Sequence, residues 1–119
     1  MNIAEILLDT ALSDHALLRG NRDKGDDASI PRDLDFVFYA DDEERAALVC
    51  DFVADNKYGR SSYQRLESPD GKILWRVLVV IRAPASAEIV CTLSGFMACL
   101  AAVFSLEYDG WGCVLQTKA

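Results

Sequence analysis

Residues 72–83, KILWRVLVVIRA, are the stretch that most narrows the fold. Ile73, Trp75, Val77, Val79 and Ile81 alternate with Leu74, Leu78 and Val80, so both faces are apolar, as in a central strand covered on two sides. Just before it, Ser68-Pro69-Asp70-Gly71 has the composition of a tight turn. The arm beyond that turn, SSYQRLES, alternates weakly and is polar enough for an edge. Together they predict a hairpin with one inner and one outer strand.

The same two-residue period appears from Asp33 onward, where Leu34, Phe36 and Phe38 alternate with Asp35, Val37 and Tyr39. Asp41 then stands three residues before Glu44, the spacing of a capping box. Ala46, Ala47, Val49, Cys50, Val53 and Ala54 carry a helical stripe from there to Tyr58-Gly59. After the hairpin, Pro84 and Ser86 announce a second helix with Ile89, Leu93, Phe96, Leu100 and Val103 on one stripe. Val90, Met97, Ala101 and Phe104 form a surplus apolar face that something must cover. LEYDGWGC supplies the last strand, with Gly110 and Gly112 marking a bulge or a close backbone approach. The order β-α-β-β-α-β predicts an α+β fold, a ferredoxin-like sandwich with a four-stranded antiparallel sheet in which strands one and three are central.

An additional helix precedes this unit. Ile3, Ile6, Leu7 and Ala11, with Leu17 and Leu18, recur at helical spacing, and GNRDKGDDASIP after them has loop composition. The expected organisation is a helix over 1–20, an acidic loop over 21–32 and the compact domain over 33–119.

Charge is segregated along the chain. Residues 26–55 hold ten acids against Arg32 and Arg45, a local charge of −8, whereas the rest of the chain holds nine acids and ten bases, +1. Such a field repels a nucleic-acid backbone and attracts a basic partner. The cysteines, at 50, 91, 99 and 113, form no C-x-x-C pair and lie near no histidine cluster, so no metal site is expected and they read as small buried hydrophobes of a reducing compartment. The acid-bearing MNIAEILLDT is not a secretory signal, and a cytoplasmic location is expected. Ile89 to Leu106 runs 18 residues without a charge, near the lower limit for a membrane span. Thr92, Ser94, Gly95 and two cysteines dilute it and no Lys or Arg anchors its ends, so a helix buried on more than one side is expected, with no membrane partner.

Chemistry is conspicuously thin. The single histidine, His15, lies outside the predicted compact domain, and no phosphate-binding loop, dinucleotide fingerprint, zinc-protease or calcium-loop pattern occurs. The sequence also lacks the basic and aromatic run of an RNA-recognition sheet. No catalytic residue, cofactor or direct nucleic-acid contact is expected; a binding role is.

DFVFYADDEERA, the apolar third strand and the closing EYDGWGC, supported by Gly-Asp-Asp at 25–27, together resemble the regulators of ribonuclease E activity B, the RraB family, over roughly residues 20–117. The resemblance implies a ferredoxin-like fold and inhibition of the endoribonuclease ribonuclease E through a protein-protein contact. Combined with the acidic field, it implies a carboxylate-rich surface that binds a basic segment of the nuclease. The expected partner-binding residues are Asp26, Asp27, Asp33, Asp35, Tyr39, Glu107, Tyr108, Asp109 and Trp111, with Tyr108 and Trp111 as candidate aromatic anchors; the other reading of Trp111 is a core residue, with the glycines letting the strand bulge. A homodimer is expected to cover the apolar surplus, unless the first helix does so. The alternative reading is a dimeric ferredoxin-like module, small-ligand-binding or regulatory, of unknown partner.

Overall fold

A computed structural model of the chain describes residues 2–117. In chain order the elements are α1 (Ile3–Asp23), β1 (Arg32–Ala40), α2 (Glu43–Asp55), β2 (Arg60–Glu67), β3 (Ile73–Ala83), α3 (Ala87–Phe104) and β4 (Glu107–Gly112). The antiparallel sheet has the order β2-β3-β1-β4, so β1 and β3 are central and β2 and β4 are edges, the β-α-β-β-α-β arrangement expected.

Local chemistry explains where each element begins. Asn2 caps α1 by accepting the Glu5 amide at 2.9 Å, and Asp42 caps α2 by accepting the Arg45 amide at 2.8 Å. The cap of α2 is therefore one residue later than the Asp41 of the capping-box reading. Ser86 opens α3. Gly59 follows α2 where a Cβ would lie 2.8 Å from both Ile81 Cγ1 and the Val80 carbonyl oxygen, so only glycine fits between helix and sheet.

α2 and α3 cover one face of the sheet. Leu34, Phe36 and Phe38 of β1 and Val77 and Val79 of β3 are fully buried there, under Ala46, Val49 and Val53 of α2 and Val90 and Met97 of α3. The ring pairs Phe52–Phe104 and Tyr58–Phe96, with centroids 5.4 and 4.8 Å apart, join α2 and the turn after it to α3.

Two sequence expectations change here. The face of α3 read as surplus, Val90 and Met97, is the one turned to the sheet, while Val103 of the supposed buried stripe is 76 % exposed. Equal apolarity on the two sides gave periodicity no means of choosing between them. Likewise β3 is covered on one face only, because Leu74, Leu78 and Val80 stay half-buried. Of the cysteines only Cys50 is buried; Cys99 is exposed.

α1 extends through Asp23, beyond the expected boundary, and lies against α3, with Leu7 reaching Gly95. It supplies part of the cover that α3 requires. Although α3 is long and apolar enough to cross a membrane, Val90, Ser94, Met97, Ala98, Leu100 and Ala101 are buried between the sheet and α1, as in a core helix.

Candidate functional site: the open sheet face and the acidic end

Strand alternation decides which predicted residues a partner can reach. On β1 the even-numbered residues enter the core, so Asp33, Asp35, Val37 and Tyr39 project from the opposite face. The register places Arg82, Val80, Leu78 and Arg76 beside them on β3, and Gly112, Gly110 and Glu107 on β4. No element among the described residues covers this face, and Val37, Leu78 and Val80 remain half-exposed.

The carboxylates here differ in how far they are already satisfied. Asp33 is bridged by Arg60 at 3.0 Å and Arg82 at 3.7 Å. Asp35, Glu107 and Asp109 have no ion pair among the described residues. Glu107 pairs across from Tyr39 at the end where β1 leaves for α2, which brings it to the end bearing Asp41, Glu43 and Glu44. Asp109 lies at a bulge in β4: the register shifts between Val37 and Phe38, and Gly110 takes φ +104°, a conformation that favours glycine.

The remaining predicted residues are placed elsewhere. The Asp26 carboxylate is buried against Arg32 at 2.6 Å and accepts the Gln116 amide at 2.8 Å, so its charge is spent inside the molecule. Asp27 accepts the Ser29 amide and hydroxyl through Oδ1 and shapes the loop between α1 and β1. Neither belongs to the open face.

Tyr108 and Trp111 point to the helical side. Trp111 is 8 % exposed, and its indole N–H donates to Asp14 Oδ1 at 3.1 Å. The same oxygen accepts the Ser94 hydroxyl at 3.1 Å, and Ser94 Oγ lies 2.8 Å from the Tyr108 hydroxyl. Tyr108 stacks on Phe38 at 5.2 Å, and burial pushes its phenol well above the ordinary range. Burial also raises the Asp14 carboxyl, opposed by the hydrogen bonds from Ser94 and Trp111. The core reading of Trp111 therefore holds, and neither aromatic is an anchor for a partner: Trp111 ties β4 to α1 and Tyr108 ties it to α3, their polar tips consumed by one buried network.

Asp14 escaped the sequence reading, although a signal existed. Leu7, Ala11, Asp14, Leu18 and Asn21 recur at helical spacing, and the polar members Asp14 and Asn21 are the most buried residues of α1. An acid standing in line with an apolar stripe requires donors, and the uncharged stretch 89–106 offered Ser94.

The RraB family model, Regulator of ribonuclease activity B, matches residues 13–113. The chain belongs to the RraB family. That match includes Asp14 and the second half of α1, so the RraB unit extends further toward the amino terminus than the roughly residue-20 start of the sequence resemblance. RraB proteins are regulators by their family description, which agrees with a binding role in place of catalysis. No curated protein matches the chain.

Proposed function

We propose that the chain is a non-catalytic cytoplasmic regulator of an endoribonuclease of the ribonuclease E type, acting by binding a basic segment of that enzyme and keeping it from RNA. The observation that carries this reading, beside family membership, is the uncovered half of the sheet where Asp35, Val37 and Tyr39 follow one another along β1 with Glu107 alongside. A Lys- and Arg-rich segment laid along β1 and β4 meets carboxylates near both ends of that line and apolar surface between them. Asp109, Asp41, Glu43 and Glu44 extend the negative field at the end where β1 passes into α2. Charge sets encounter and selectivity, and Tyr39, with Val37, takes the anchoring role that Tyr108 and Trp111 cannot. The net charge of −7 disfavours direct contact with RNA.

The test is titration of the purified nuclease, or its arginine-rich segment, with the wild type and with a triple variant Asp35→Asn, Glu107→Gln, Asp109→Asn. Binding should weaken about tenfold or more, and the wild-type affinity should fall with added salt. Equal affinity of a folded triple variant would refute the site, and no binding by the wild type would refute the function.

A second reading is supported by the charge layout of the same face. Its β2/β3 half carries Arg60, Arg76 and Arg82, while its β1/β4 half carries Asp33, Asp35 and Glu107. A two-fold axis through this face would lay the acidic half of one copy on the basic half of another, giving the homodimer, with room for a small ligand at its seam. Sedimentation equilibrium decides: a salt-sensitive dimer broken by Leu78→Glu supports this reading, and a monomer at all concentrations removes it.

A further inference from the structure

At the other end of the molecule a cleft brings arginines and aspartates together. His15, Arg19 and Arg22, on one side of α1, line a cleft of about 430 Å³, within the size range of small-ligand sites. Neither arginine enters an ion pair among the described residues. In a chain of net charge −7, two arginines that line one cavity without an ion pair among the described residues stand out against the surrounding field.

Two acids also line the cleft, Asp26 and Asp27. Asp26 is neutralised from behind by Arg32, and Oδ1 of Asp27 is hydrogen-bonded to Ser29. The arginines are therefore not drawn onto Asp26 by an unmet charge. Ala87, the first residue of the 18-residue α3, also lines the cleft, adding the positive end of a helix dipole. Leu18 and Ala85 give the wall an apolar section.

We infer that this cleft binds a small organic phosphate, with Arg19 and Arg22 holding the phosphoryl oxygens and the wall at Leu18 and Ala85 receiving the body. A guanidinium presents a planar fork of N–H donors matched to phosphate oxygens, and two forks fit a dianion better than a monoanion. The site is separate from the open sheet face, so it stands or falls independently of the nuclease-binding reading.

Amide and side-chain NMR shifts of the full chain, titrated with inorganic phosphate, phenyl phosphate, acetate and phenol, test it. Phenyl phosphate should shift Leu18, Ala85 and Ala87 saturably, more tightly than inorganic phosphate, while acetate and phenol leave them unmoved. Arg19→Gln with Arg22→Gln, both exposed positions, should keep the dispersed spectrum and weaken phenyl phosphate at least about tenfold. Shifts confined to other residues, no saturation by about 10 mM, an acetate response equal to that of phosphate, or unchanged affinity in the double variant would each overturn the assignment.

Discussion

The two faces of this sheet are built from the same strands and have opposite fates. Positions 34, 36 and 38 of β1 are sealed under two helices with no exposure, whereas positions 35, 37 and 39, their immediate neighbours, remain half-open. The polar groups divide accordingly. On the covered side, Asp14, Ser94, Tyr108 and Trp111 satisfy one another, and among the described residues no buried side-chain polar atom lacks a partner. On the open side, Asp33 shares exposed arginines, and Asp35 and Glu107 are left to solvent or to another molecule. The acids of one sequence cluster thus have different settings: Asp26 and Asp42 shape the fold, and Asp35 stays half-exposed without an ion pair among the described residues.

This contrast can be broken most severely at adjacent residues. Phe36→Ala should cost about 3–5 kcal/mol by leaving a cavity in the core, while Val37→Ala, one residue on, should cost less than about 1 kcal/mol. Urea denaturation of both variants checks it; similar losses would mean that the open face is covered in solution. Next in size, Asp26→Ala should destabilise by about 3 kcal/mol, because it strips the buried Arg32 of its carboxylate while leaving the guanidinium its carbonyl contacts to Asp27 and Ile30. Asp33→Ala, whose arginine partners are largely exposed, should cost no more than about 1 kcal/mol.

The network under α1 sharpens the comparison further. Trp111→Phe removes the indole donor to Asp14 and should cost about 1–3 kcal/mol, with near-ultraviolet circular dichroism and amide exchange locating the loosening at α1. The smallest effect is a pH dependence. Because burial holds the Asp14 carboxyl above its unfolded value of 3.8, the folded state binds its proton more tightly. The resulting stabilisation is complete below 3.8 and fades as pH rises through the raised native value. Asp14→Asn keeps an acceptor oxygen for Ser94 and Trp111 but cannot titrate, so its stability relative to wild type should improve as pH rises from about 4 to 7. A constant difference across that range would show that Asp14 is not desolvated.

What the sequence determined alone was the order of elements, the central places of β1 and β3, the turn at Ser68–Gly71 and the bulge near Gly110. Each is a local matter of period, capping or backbone freedom, and neighbours in the chain carry the information. The outward set on β1 was legible for the same reason, since alternation puts Asp33, Asp35 and Tyr39 together once any one of them is known to face out. Only the tertiary structure could decide which apolar side of α3 meets the sheet, that the indole of Trp111 finds Asp14 across 97 positions of chain, and that Asp26 is answered by Arg32. The physical reason is that a buried polar group is defined by the partner that satisfies it, and that partner is brought near by the packing of whole elements, which residue spacing does not record.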